Sequence, residues 1–325
     1  MNRLAAGLGV LAILAAGCSA QSAGAPDCSA GQCDETEDGG PGDETEAQFC
    51  KRVGGKFPKS WIKGGPDCGT EPAIQVHAYD EDTFILRQSL CTSGEGPFLY
   101  LMFGTDKVLM EDTGDDVGIP IPLVETVAQV IADWAKAHDR DPDSLELVVV
   151  NSHAHGDHVA GNGDLAAAGA TVVGFTKEKM GPFFGIDNWP EGSAAFDLGG
   201  RVVDIVPIPG HEANHIAIYD RSRGLLLTGD TFYPGRLFIN KFAAYKTSVA
   251  KLVAMFADKP VCHVLGTHIE MSKTPGQQFP QGSMHHPNEH VLQLSRDQLI
   301  ELNDALIKMT SPENETHDDF VIFPL

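Results

Sequence analysis

From about residue 74 onward the chain sets short apolar runs between turn residues, a pattern that predicts strands over 74–76, 83–87, 98–103 and 108–110. Val124, Val127, Ile131 and Trp134 then recur at helical spacing, predicting a helix over 124–137 with one apolar stripe to bury. Residues 145–150 are continuously apolar and rich in β-branched side chains, which suits a strand covered on both faces. The same alternation continues with a helix around 165–168 and strands over 171–173, 202–208, 215–219 and 225–227. It closes with a helix over 243–256, a strand over 261–265 and a last helix over 296–309. Strands mixed with helices in this order predict a layered α/β body, with helices outside two central sheets.

The first part of the chain follows a different rule. Arg3, an apolar run over 4–16 and then Gly17 and Cys18 have the layout of a secretory signal, and the run is too short to cross a bilayer. Residues 14–18 resemble the lipobox of bacterial lipoproteins, which implies cleavage before Cys18, its lipidation, and an exported protein tethered to a membrane, facing the periplasm or the cell surface. The plainer alternative is that Cys18 only ends a cleaved signal. Residues 21–46 are Gly, Ala, Ser, Pro and acid, with like-charged blocks at 34–38 and 43–46 that repel themselves and offer nothing to bury. The expected division is a signal peptide over 1–17, an acidic spacer over 18–49 and one folded domain over 50–325. Lys51, Arg52, Lys56, Lys59 and Lys63 form a basic patch, read as a solvated face, with contact to an anionic surface as the other reading.

Seven cysteines fit an export route. Setting Cys18 aside leaves Cys28, Cys33, Cys50, Cys68, Cys91 and Cys262, and the short local loops Cys28–Cys33 and Cys50–Cys68 are the first expectation for pairing. No CxxC pair is present, so the cysteines read as structural. The formal charge of −22 argues against nucleic acid as a partner, because phosphate binding needs clustered cations.

The candidate chemistry starts at His153-Ala154-His155-Gly156-Asp157-His158, directly after the run at 145–150. Residues two apart in extended backbone point the same way, so His153 and His155 can serve one cation, and a turn at Gly156 directs Asp157 and His158 to a second. Three histidines and a carboxylate supply the nitrogen and oxygen donors that zinc takes. His211, Asp230 and His268 each follow a further predicted strand, and strand ends share one edge of a sheet.

On these residues the sequence resembles the metallo-β-lactamase fold superfamily: the HxHxDH signature at 153–158, Gly-His at 210–211, Gly-Asp at 229–230 and the late His268 stand in that family's order. The resemblance covers Ile74 to the C-terminus and implies a four-layer αβ/βα sandwich with its site at one edge. It assigns His153, His155 and His211 to one metal and Asp157, His158 and His268 to the other, with Asp230 bridging. Asp112 would support the ligands without binding metal. Two divalent ions, zinc by donor type, would share a hydroxide that attacks a small ester-like substrate such as a lactone, thioester or phosphodiester, with Asp157 orienting it and carrying a proton. Two other activities occur on this fold: single-iron oxidation of sulfur compounds, and β-lactam hydrolysis, whose zinc enzymes typically lack an aspartate where this chain has Asp230.

Other residues weigh less. Thr228 and His263 are read as strand residues or as hydrogen-bond supports of ligands, and His215 as a packed strand residue. Phe183, Phe184 and Trp189 are placed in a loop, and they, with Phe232 and Tyr233, are either pocket walls or anchors. His285, His286 and His290 are read as exposed surface or the end of the last helix, without a role.

Overall fold

The computed structural model describes residues 44–325 apart from residue 67, and residues 44–325 form one contact unit. The signal, the lipidation of Cys18, most of the acidic spacer and the pair Cys28 and Cys33 therefore lie outside the described residues. Among the described residues, no helix is long and apolar enough to cross a membrane.

The first sheet is β1 (Ile74–Ala78), β2 (Thr83–Gln88), β3 (Phe98–Phe103), β4 (Lys107–Glu111), β5 (Glu146–Val150) and β6 (Thr171–Gly174), in that spatial order. Its first four strands are antiparallel, whereas β4, β5 and β6 run parallel. The chain then lays down β7 (Ala194–Asp197), β8 (Val202–Pro207), β9 (Ile216–Asp220), β10 (Leu225–Gly229), β11 (Arg236–Ile239), β12 (His263–Gly266) and β13 (Gln293–Leu294), and ends with β14 (Glu315–Thr316) and β15 (Val321–Pro324). The second sheet has the order β13-β12-β10-β9-β8-β7.

Three buried clusters fill the spaces between layers. Between the two sheets lie Ile85, Tyr100, Val148, Val150, Ile205 and Leu227 among others. Outside the first sheet, α2 (Leu123–Ala137) buries Leu123, Val127, Val130 and Trp134; of the predicted stripe Val127 and Trp134 are buried, while Val124 and Ile131 flank that face and are partly buried. Outside the second sheet, α6 (Phe242–Met255) and α7 (Arg296–Lys308) bury Tyr245, Val249, Leu252, Leu299, Leu302 and Leu306. Each such side chain contributes about 1.5–3 kcal/mol through burial, which is why one apolar face per helix suffices to hold four layers together. The expected αβ/βα sandwich is the observed architecture.

Some elements differ from the sequence reading. Helix α1 (Glu46–Val53) begins inside the segment expected to be spacer, because Thr45 and Gln48 close a capping box that satisfies its first orphan N–H groups. Phe183 and Phe184 end a helix, Lys177–Phe184, and are not loop residues; Phe184 enters the inter-sheet core. A third sheet, β11-β15-β14, is absent from the hydrophobic pattern because its strands are only two to four residues long, too short to show a period. His286 is buried and stacks on Phe279 at 4.2 Å, contrary to the expectation of an exposed stretch.

The cysteine pairing also differs: Cys50 bonds to Cys262 and Cys68 to Cys91. Local spacing misled because tertiary packing brings α1 beside the entry to β12, where the Glu46 carboxylate also accepts from Val261 N–H at 3.0 Å. Closing a loop 212 residues long removes more unfolded-state entropy than closing one of 23. Cys50→Ser with Cys262→Ser is expected to cost about 5 kcal/mol and Cys68→Ser with Cys91→Ser about 3 kcal/mol in the chain-entropy limit. Urea unfolding of the two double variants checks that order.

Candidate metal centre

Strand direction explains why distant residues meet. β4 and β5 run parallel in the first sheet, while β10 and β12 run parallel in the second, with β8 antiparallel to the intervening β9 and so aligned with them. The C-terminal ends of these strands share one edge of the sandwich. Beyond them lie Asp112 after β4, residues 151–158 after β5, His211 after β8, Asp230 after β10 and His268 after β12. Past His155 the chain makes a single helical turn over Gly156–Val159, which swings Asp157 and His158 away from the His153–His155 pair.

All seven nominated side chains converge. His153, His155, His211 and Asp230 form one quartet and Asp157, His158, Asp230 and His268 the other, with the ligand atoms of each quartet within 4.8 Å of one another. In the first, His155 Nδ1 lies 2.9 Å from His153 Nε2 and 3.1 Å from His211 Nε2. Asp230 Oδ2 lies 3.8 Å from His153 Nε2 and 3.5 Å from His211 Nε2. In the second, Asp157 Oδ2 is 3.1 Å from His158 Nε2 and 3.3 Å from His268 Nε2, and Asp230 Oδ1 is 3.5 Å and 3.3 Å from the same two nitrogens. The two oxygens of Asp230 thus face different quartets.

These distances suit a cation. A tetrahedral ion with bonds of about 2.0–2.1 Å holds its ligand atoms about 3.3 Å apart. The donor set, imidazole nitrogen with carboxylate oxygen, is one that zinc accepts. His158 Nε2 is buried and makes no hydrogen bond of acceptable geometry, although Asp157 Oδ2 lies 3.1 Å away, so it faces the cluster as a ligand atom would. Burial penalises the charged form of Asp230, yet the facing His268 and His158 imidazoles hold its carboxyl well below the usual carboxylate range. That balance favours positive charge at this position. Burial, with His158 alongside, pushes His153 well below its ordinary value, leaving the neutral imidazole that metals require.

The far side of each ring is fixed. His158 Nδ1–H donates to Asp112 Oδ2 at 2.7 Å, His153 Nδ1 contacts Ser152 Oγ at 3.0 Å, His211 Nδ1 donates to the Phe238 carbonyl at 2.7 Å and His268 Nδ1 to the Glu95 carbonyl at 3.0 Å. Each contact sets the tautomer that leaves Nε2 facing inward. Asp112 also accepts from Ser152 N–H and Ser152 Oγ–H, both at 2.7 Å, and sits at φ 63°, a left-handed conformation that Asp tolerates better than most residues. Asp112→Asn is expected to weaken metal binding by about 10- to 100-fold with the fold retained; titration against a competing chelator measures it.

Sequence reasoning missed several of these supports. Thr267 Oγ1 donates to Asp230 Oδ1, and Asp230 N–H donates to Nε2 of the fully buried His215, whose ring stacks on His153 at 4.7 Å. His215 is the packed residue expected of it, placed just before β9 and not within it. At Gly229, φ 50° and a Cβ position 2.7 Å from the His215 ring leave room only for hydrogen, so the turn that presents Asp230 needs glycine. The clue that was available is position, since Ser152 and Thr267 each flank a ligand. Thr228 instead donates to the Phe232 carbonyl, His263 packs on Phe57 and Tyr79, and Phe232 is an outer-core anchor, so none of these three supports a ligand. Tyr233 is buried with its ring 5.5 Å from that of His268.

Comparison with known proteins adds to this geometry. A model of the metallo-beta-lactamase superfamily matches residues 94–307. The hydroxyacylglutathione hydrolase of Methylococcus capsulatus is 36% identical over 117 residues, 35% of this chain and 45% of that protein. The one from Rhizobium meliloti is 32% identical over 117 residues with the same coverage. The match therefore spans less than half the length of these curated relatives. Among solved structures, the metallo-beta-lactamase from Pontibacter korlensis aligns at 13% identity with a TM-score of 0.48, covering 73% of this chain and 100% of that one.

Proposed function

This chain belongs to the metallo-beta-lactamase superfamily, and on that premise we propose that it is a metal-dependent hydrolase of a small ester-like substrate, with thioesters ahead of lactones and phosphodiesters. The observation that carries the reading is the division of Asp230, Oδ1 toward one quartet and Oδ2 toward the other, as a bridging ligand requires. The name of the curated relatives, hydroxyacylglutathione hydrolase, ranks thioesters first. We propose zinc as the metal, held at one position by His153, His155 and His211 and at the other by Asp157, His158 and His268, with Asp230 serving both.

Held by these seven side chains, two divalent cations would supply the Lewis acidity that makes a water nucleophilic near neutral pH. The protein's own residues do the rest. The Asp112, Ser152, Phe238 and Glu95 contacts hold four imidazoles rigid, so no reorganisation is needed during the reaction. The Asp157 side chain is 17% exposed against 8% for Asp230, which leaves Asp157 the carboxylate open to proton exchange with substrate and solvent. Asp230 is occupied on both oxygens and serves binding only.

A hydrolysis panel on zinc-loaded protein tests the reading: hydroxyacyl thioesters, lactones, phosphodiesters and cephalosporins, each with an oxygen-uptake trace. The expected result is thioester turnover without oxygen consumption. Oxygen uptake with a sulfur substrate and bound iron would replace it with the oxidative reading.

We also propose that the protein acts outside the cytoplasm, tethered through a lipidated Cys18. The two disulfides support this address, since such bonds persist in oxidising compartments.

A further inference from the structure

Away from the metal centre, residues 58–63 and 286–293 enclose a cleft of about 110 Å³ with Lys59, Lys63 and Lys273 on its rim and Pro58, Trp61 and Val291 among its apolar walls. None of the seven metal-centre side chains lines it. Its walls are tied by backbone: His286 N–H donates to the Lys63 carbonyl at 2.8 Å, Lys273 N–H donates to the Asn288 carbonyl at 2.8 Å, and Gly64 pairs with His285.

The charges in the cleft do not balance. Its carboxylate, Glu289, is consumed by a buried Arg87 fork, with both N–H···O distances 2.5 Å, and by His286 Nδ1 at 3.2 Å. His290 is held by Asp319 at 2.8 Å. The nearby Glu71 carboxylate accepts from the main-chain N–H groups of Lys63 and Gly64, both at 3.0 Å. Among the described residues, Lys59, Lys63 and Lys273 have no carboxylate within ion-pair distance, in a chain where 45 acidic residues outnumber 23 basic ones. Partners for three lysines would be easy to supply, and none is supplied here.

A concave site walled by apolar side chains focuses the field of such unpaired cations. The volume suits one anionic head group and not a drug-sized molecule. Three ammonium groups suit a multiply charged oxyanion better than a single carboxylate, and lysine binds phosphate as a point charge. Val291, 46% exposed beside these cations, offers apolar surface to methylenes attached to such a head group. We propose that this cleft is a binding site for a phosphate-bearing group, either a soluble phosphate or the head group of an anionic phospholipid.

The test uses the full chain carrying Cys18→Ser, which removes the proposed acyl anchor, zinc-loaded, with the cleft as wild type and as the triple variant Lys59→Gln, Lys63→Gln, Lys273→Gln. Inorganic phosphate is titrated at constant ionic strength against chloride, with tryptophan fluorescence as readout. Flotation is run in parallel with vesicles of phosphatidylglycerol and phosphatidylcholine and with vesicles of phosphatidylcholine alone. Wild type is expected to bind phosphate, the mixed vesicles, or both, and the triple variant to bind at least about tenfold more weakly, with zinc content and circular dichroism unchanged. Binding to phosphate alone assigns a soluble phosphate, and binding to the mixed vesicles assigns a lipid head group. A wild type that prefers neither phosphate to chloride nor the mixed vesicles to the neutral ones overturns the proposal. So does a triple variant that binds as well as wild type.

Discussion

Asp230→Ala is expected to empty both metal positions at once. One oxygen of this carboxylate faces His153 and His211, and the other faces His158 and His268. Truncation leaves three neutral nitrogens in the first quartet and one carboxylate among imidazoles in the second, so each position loses charge as well as a donor. Replacing a residue that merely orients a ligand costs about 10- to 100-fold in metal affinity, and loss of a shared ligand should exceed about 100-fold at both positions. Zinc per chain, measured by mass spectrometry after dialysis against a weak chelator, should fall from two toward zero, and hydrolysis should fall with it. His155→Ala is the contrast, because it touches only the first quartet and should leave the second position filled. Asp230→Asn keeps the shape of the side chain and guards against a folding artefact. Retention of both ions by Asp230→Ala would remove the bridging assignment.

Asp157→Asn is expected to separate chemistry from binding. The amide keeps an oxygen where Asp157 Oδ2 stands, 3.1 Å from His158 Nε2 and 3.3 Å from His268 Nε2, so the second position, though weakened by the lost charge, should stay filled when zinc is held in excess. What the amide cannot do is take and return a proton. The turnover number should drop by about 10²- to 10⁴-fold with little change in KM, and the drop should be uniform across neutral pH, because burial is outweighed by the His158 and His268 imidazoles, which hold the Asp157 carboxyl far below the usual carboxylate range. Steady-state kinetics across pH read both effects. A variant with normal turnover would leave Asp157 as a ligand only.

The clustering of the seven side chains was legible in the sequence because its information is local. His153, His155, Asp157 and His158 lie within six residues, and His211, Asp230 and His268 each follow an apolar run whose end the hydrophobic pattern marks. Helix α2 was legible for the same reason, though its buried face is centred on Val127, Val130 and Trp134 and includes Leu123, whereas spacing also points to Val124 and Ile131. What escaped depends on tertiary neighbours. Cys50 could not be matched to Cys262 before α1 was known to pack near the start of β12. Thr267 and His215 act on Asp230 from other segments, and nothing in their own surroundings in the chain announces it. Helix α1 was concealed by the acidic run that contains its own cap, Thr45. Lys59 and Lys63 were visible as a basic patch, but the cleft they help to form needs Lys273, about 210 residues later.

Two cations are expected to share Asp230 at the edge between the sheets, and anomalous diffraction at the zinc absorption edge, on crystals of the zinc-loaded protein, would locate both. The expected map has two peaks, one bonded to His153, His155 and His211, the other to Asp157, His158 and His268, each with one oxygen of Asp230. A single peak, or two peaks that Asp230 does not join, would contradict it.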